Sequence, residues 1–352
     1  MTGRYPAGPV VRRHVLRWCA GVAVLVLAVS GLAACSTASS GSSITLYNGQ
    51  HPQTTDALVA AFTKATGIRV NVRSDDEGVL VPEILAEGSH TPADVIYTEN
   101  SPALEELQDH GLLTPAPRSV LGRTPSKFNS PQGDWVGVSA RVSVLVYNPS
   151  LISRSDLPTS VLALADSRYR GRLAFAPSET DFQPVITSVL NTYGKATTLR
   201  WLEGIKANSS GHLVEDNEVI TADVNRGEVA FGLVNQYYWY RLRADLGASG
   251  MHSAIAYFAP RDPGYVLDVS GAAVLKSAAN RADAEKFLAF LTSRQGQEII
   301  AHGDSFEYPI ASGVTTAAPE TPFADLQPNP VTVAQLGNGA AAVALLQEAQ
   351  LL

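Results

Sequence analysis

The hexapeptide Asn235-Gln236-Tyr237-Tyr238-Trp239-Tyr240 gathers three of the chain's 12 tyrosines where a β-rich run gives way to a helical one. Such a cluster can be packed core or a stacking platform for a sugar, and adjacent phenols can also hold a metal. Two further segments occupy comparable strand ends, Tyr47-Asn48-Gly49-Gln50-His51 and Tyr97-Thr98-Glu99-Asn100. The carboxyl ends of strands are where open α/β sheets place their ligands. Taken singly, a histidine or a glutamate after a strand is an ordinary surface residue. Together the three segments would bring an imidazole, a carboxylate and two phenols to one cleft. That set suits Fe³⁺, because two phenolates and one carboxylate cancel three charges and a neutral imidazole supplies a fourth donor. Free tyrosine titrates near ~10, and a bound cation favours its deprotonated form. Zinc and calcium sites draw on other ligand sets.

These donors need a scaffold that ends several strands on one side. Short β-rich runs alternate with stretches of helical period, the pattern of an α/β fold with mainly parallel sheets. Strands are expected at residues 44–47, 69–72 and 94–98, with helices at 54–66, 79–86 and 102–109. A second set has strands at 173–176, 212–215 and 229–234 and helices near 185–192, 198–205, 219–226 and 238–246. The runs 135–147 and 265–275 are long and β-branched and read as strands crossing between two lobes. Paired crossings leave a ligand cleft between lobes joined by hinge strands. The lobes are expected to comprise residues 44–140 with 268–318, and 141–267 with 319–352. Residues 281–291 and 295–302 read as helices.

Ahead of this scaffold, Arg4, Arg12, Arg13 and Arg17 precede an uncharged apolar run from Trp18 to Ala34, which matches a secretory signal over residues 1–34. The run closes on Leu32-Ala33-Ala34-Cys35, the form of a bacterial lipobox, and residues 35–43 would be a flexible tether. Lipidation of Cys35 would hold the protein at the cell membrane, outside the cytoplasm. Arg12-Arg13 also fits loosely with twin-arginine export. The remaining length suits about two domains of ~150 residues. Losing four arginines makes it more acidic than the formal net charge of −7, a poor balance for nucleic acid. The two cysteines, Cys19 and Cys35, both fall at the leader, so no disulfide framework or thiolate cluster is expected beyond it.

The order of several stretches resembles the ferric-ion-binding proteins of bacterial ABC transporters, the "bacterial transferrins" of the class II periplasmic-binding-protein fold. Its markers here are Ile44-Thr45-Leu46-Tyr47-Asn48-Gly49-Gln50-His51, Thr91-Pro92-Ala93-Asp94-Val95-Ile96-Tyr97-Thr98-Glu99, Gly227-Glu228-Val229, Asn235 to Tyr240, Asp262-Pro263-Gly264, Ser270-Gly271-Ala272-Ala273-Val274-Leu275-Lys276 and Glu307-Tyr308-Pro309. The resemblance implies a type II two-lobed α/β fold and Fe³⁺ as the transported ligand, bound by His51, Glu99, Tyr237 and Tyr238. It implies an ABC permease and its ATPase as partners, and a monomer. Relatives complete the metal shell with phosphate or carbonate, and Arg141, Asn217 and Asn235 occupy the matching places. The loop that would hold the anion reads Pro177-Ser178-Glu179-Thr180-Asp181-Phe182, and Asn100 replaces a glutamine common after the glutamate ligand. Carboxylates at Glu179 and Asp181 would repel an anion, so the expectation is iron binding without one; the competing expectation is that both cap the following helix.

Other functions carry less. Gly303-Asp304-Ser305-Phe306 resembles the opening of an esterase, yet no histidine base follows it, and neither a Gly-x-Ser-x-Gly elbow nor His-Glu-x-x-His occurs, so no enzyme is expected. The same fold also carries polyamines, thiamine or phosphonates, and the acidic loop would suit a cationic organic ligand. A tethered sensor or adhesion module is a third class.

Overall fold

The computed structural model describes residues 41–311, 313–316 and 321–352. The leader, Cys35 and most of the tether therefore lie outside the described residues. Among the described residues ten strands run in chain order: β1 Ser43–Gly49, β2 Arg69–Ser74, β3 Val95–Thr98, β4 Leu113–Thr114, β5 Val136–Tyr147, β6 Leu173–Ala174, β7 Phe231–Asn235, β8 Ala254–Ala256, β9 Leu267–Leu275 and β10 Tyr308–Pro309. Their order across the sheet is β2-β1-β3-β9-β5-β7-β6. β1 lies parallel to β2 and β3, and β6 lies parallel to β7, whereas β9 and β5 run antiparallel to their neighbours.

β5 is the element that joins the two halves. Its first part, Val136 to Val142, pairs with β9, and its second part, Ser143 to Tyr147, pairs with β7. All 12 of its residues are buried, so the polar residues that alternate with its valines, Ser139, Arg141 and Ser143, face the interior and not solvent. The chain returns through the stretch between β8 and β9. β9 then pairs with β3, β4 and the first part of β5, so the return lies mostly before the strand. The result is a two-lobed α/β fold of the periplasmic-binding-protein kind. The strand expected at 212–215 reduces to one bridge, Phe175 to Leu213.

Two apolar clusters fill the interior. One, with Leu58, Phe62, Phe287 and Leu291, lies under the first half of the sheet; a larger one, with Leu145, Phe175, Ile186, Trp201 and Phe231, extends through the second. Helix Ala340–Glu348 lies against the second half, whereas Val333–Leu336 sits between that half and helix Ser101–Asp109 of the first. There the amide of Asn191 donates to the Gln335 carbonyl, and Lys206 Nζ donates to the carbonyls of Ala349 and Gln350.

Candidate metal centre

Each marker segment is a device for turning a strand end into the cleft. At the end of β1, Asn48 accepts from Thr55 Oγ1 at 2.7 Å and donates to the Gln50 carbonyl at 2.6 Å, which fixes the turn. Gly49 allows a close approach, since a Cβ there would lie 3.0 Å from the Glu77 Cβ. Gln50 turns inward and donates to Glu307 at 3.2 Å. His51 is left at the N-cap of helix Pro52–Thr66, where proline supplies the fixed φ of a first helical residue. At the end of β3, buried Glu77 accepts the backbone N–H groups of Glu99 and Asn100 at 2.9 and 3.1 Å, and this orients the Glu99 side chain.

The third segment differs from expectation in a way that matters. Helix Gln236–Leu246 begins two residues earlier than the periodicity indicates, so Tyr237 and Tyr238 both sit in its first turn behind Asn235 as N-cap. The positive end of the helix dipole favours anions there. Gln236 pins that turn by accepting from the Val142 N–H at 2.8 Å and donating to the Phe306 carbonyl at 3.0 Å.

The four predicted donors converge. His51 Nε2 lies 3.0 Å from Glu99 Oε1, and the imidazole stands edge-on to Tyr237 and Tyr238 at 5.1 and 6.0 Å between ring centres. The two phenol rings are 4.2 Å apart. Both phenols donate to one oxygen, Asp181 Oδ2, each at 3.0 Å. Asn217 donates to the same oxygen at 3.3 Å, and Asn100 donates to Asp181 Oδ1 and to Thr180 Oγ1, each at 3.1 Å. Asp181 thus points into the site and caps no helix. Glu179 accepts the Asn217 backbone N–H at 3.3 Å, at the start of helix Asn217–Arg226 and not of the helix that follows its own loop. Asn235 is buried at the end of β7.

Arg141 is buried and its guanidinium pairs with Glu307, which also accepts from Ser139. It lies 5.5 Å over the Tyr237 ring and donates to Asn100 Oδ1 at 3.3 Å. Its charge is therefore spent on a carboxylate inside the protein. Sequence reasoning assigned no role to Glu77, Glu307 or Arg241. Glu307 stood in a marker stretch, and Arg241 follows Tyr237 by four residues, the spacing that shares a helix face.

Electrostatics follow from crowding acids in a dry cleft. Burial, then Asp181 and Glu99, push both phenols well above the ordinary tyrosine range. Burial and Asp181 likewise hold Glu99 well above the carboxylate range, and burial raises Glu77 to about 7. Glu179 rises to about 8 through burial and the charge of Asp181. Burial, with Arg241 and Arg141, drives His51 far below its usual value, so the imidazole is neutral. Among the described residues no group of three His, Cys, Asp or Glu could hold a metal alone, so any metal here needs the phenols. A cavity of about 610 Å³ opens onto the site, lined by Asp76, Glu99, Glu179, Glu215, Asp216 and Glu218 with no lysine or arginine in its wall. A cavity of about 670 Å³ beside Lys127, Arg261 and Asn329 holds none of these donors. Ser305 is buried and donates to the Ile300 carbonyl at 3.0 Å.

Comparison with known proteins agrees with this architecture. The Fe(3+)-binding periplasmic protein of Serratia marcescens is 36% identical over 315 residues, 90% of this chain and 92% of that one. The major ferric iron-binding protein of Neisseria meningitidis is 36% identical over 308 residues, 87% of this chain and 92% of its own. The crystal structure of iron-bound HitA from Pseudomonas aeruginosa superposes with a TM-score of 0.84 at 38% identity, covering 88% of this chain and 99% of HitA. Residues 90–329 match the family description, and the chain belongs to the bacterial extracellular solute-binding proteins.

Proposed function

We propose that this protein is an extracytoplasmic receptor that closes two lobes on ferric iron and delivers it to an ABC-transporter permease and its ATPase. The observation that carries the reading is the convergence of Tyr237, Tyr238 and Glu99, with His51 at a fourth position, from both halves of the sheet. A trivalent cation repays the burial of three acids that otherwise stay protonated. The names of the Serratia and Neisseria relatives and the iron-bound HitA structure support the same ligand.

In this reading Asp181 stands where relatives would hold a soluble anion, so phosphate and carbonate are not required. Asn100 and Asn217 hold that carboxylate, Thr180 accepts from the same Asn100 amide, and Arg141 and Glu179 frame it. The lobes take the limits 44–140 with 268–318 and 141–267 with 319–352. The carboxylate-lined cavity also suits a small organic cation such as a polyamine. An equilibrium competition separates the two: mature protein should take Fe³⁺ from citrate and leave spermidine unbound. Saturable spermidine binding with no iron retained after gel filtration would reverse the assignment.

Anchoring rests on Cys35. Among the described residues no helix is long and apolar enough to cross a membrane. Cys35→Ser should abolish lipid labelling and release the protein from the membrane fraction; unchanged labelling would refute the anchor.

A further inference from the structure

Outside the metal centre the two halves meet again at the turn before the last helix. Asn338 stands between two glycines of positive φ, Gly337 at 61° and Gly339 at 77°, a backbone that side chains with a Cβ rarely adopt. Its Oδ1 accepts the Ala340 N–H at 3.1 Å, which fixes the side chain, and its Nδ2 donates to Asp109 Oδ2 at 2.9 Å. Asp109 closes helix Ser101–Asp109, at the end where the helix dipole disfavours a carboxylate, so the amide supplies a partner that its own helix withholds. Gly339 is buried against both halves: a Cβ there would lie 3.4 Å from the Pro102 Cβ of the first and would overlap Gln183 Oε1 of the second. Pro102 and Asp109 lie two turns apart on one face of the helix that begins straight after Glu99 and Asn100. The turn thus grips the first half along that helix, while helix Ala340–Glu348 behind it packs on the second. Beside the turn the apolar walls stand apart, since a cavity of about 460 Å³ separates Val81, Pro102 and Ala103 from Val343 and Ala344.

We propose that the turn Gly337-Asn338-Gly339 is a latch between the lobes, which favours the closed state of the metal-free protein and slows the release of iron. This rests on the iron-receptor reading above and deepens it by naming what regulates release. Metal and latch act on the same equilibrium, each through contacts that only the closed state makes. One hydrogen bond and one wedged glycine are small beside the metal's own bonds, so the latch biases the lobes without locking them.

The test uses Asn338→Asp, which keeps an oxygen for the Ala340 N–H and sets a second carboxylate against Asp109. Its partner is the double variant Asn338→Asp/Asp109→Asn, which restores the bond with donor and acceptor exchanged. Asp109→Ala removes the acceptor from the first half and leaves the turn untouched. In metal-free mature protein, small-angle X-ray scattering should give a larger radius of gyration for both single variants, and the double variant should return to the unmodified value. Iron release to excess chelator should be about fivefold faster in Asn338→Asp, the size of one hydrogen bond lost, and should return to the unmodified rate in the double variant. Unmodified scattering or release in single variants of native circular dichroism would overturn the latch, as would an expansion that the double variant fails to reverse. Failure of the unmodified protein to bind Fe³⁺ would strike the functional reading alone, since the scattering is read without metal.

Discussion

Asp181 accepts from both phenols, each bond 3.0 Å long to the same oxygen. A ferric ion entering there must displace the phenol protons, so uptake should release them and weaken as pH falls. With Tyr237 and Tyr238 as the proposed anionic donors, Tyr237→Phe or Tyr238→Phe should weaken iron retention in a chelator competition more than His51→Ala, which removes a neutral group. The reverse ranking would mean that charge cancellation does not govern the site. Asp181→Asn keeps the shape and removes the charge; iron binding should then become dependent on added phosphate or carbonate. Equal binding of this variant with and without anion would deny Asp181 the anion's role. The convergence of His51, Glu99, Tyr237 and Tyr238 was legible because each segment follows a strand, and Asp181 stood out as an acid in a loop that should welcome anions. Glu77, Glu307 and Arg241 were not, since their roles depend on contacts between segments far apart in sequence, as in Glu307 with Arg141 and Gln50.

At the level of elements, helix starts do much of the positioning. The early start of helix Gln236–Leu246 places both phenols on its positive end, and helix Glu77–Glu87 begins with the carboxylate that cradles the Glu99 backbone. The sequence pattern located both helices and misjudged their first turns, because Gln236 and Glu77 are polar residues buried by tertiary bonds that apolar periodicity does not register. β5 was legible because its β-branched run is too long for one lobe. Glu77 rises from an ordinary value of 4.5 to about 7 in the folded protein. A raised carboxyl contributes stability that is whole below the unfolded value and is lost as pH climbs through the folded one. For a group this buried, the loss amounts to about 3 kcal/mol. The metal-free protein should thus melt at lower temperature at about pH 9 than at about pH 5, and Glu77→Gln should flatten that slope. A melting temperature that rises over this interval would show that Glu77 is already ionised when folded.

For the molecule as a whole, the sheet path through β5 lets two halves share one site and one continuous apolar cluster. A ligand that contacts both halves favours the closed state by the difference in its contacts. His51 and Glu99 come from the first half, and Tyr237, Tyr238 and Asp181 from the second, so the cation is the piece that completes the interface. The acidic cavity wall adds long-range attraction for a cation and repels anionic competitors. The most direct measurement is to add Fe³⁺ to metal-stripped mature protein and record its visible absorption. Phenolate-to-iron charge transfer should colour the solution, reach a plateau at one iron per chain, and disappear in the Tyr237→Phe/Tyr238→Phe double variant. A colourless protein that retains no iron by elemental analysis would contradict the account.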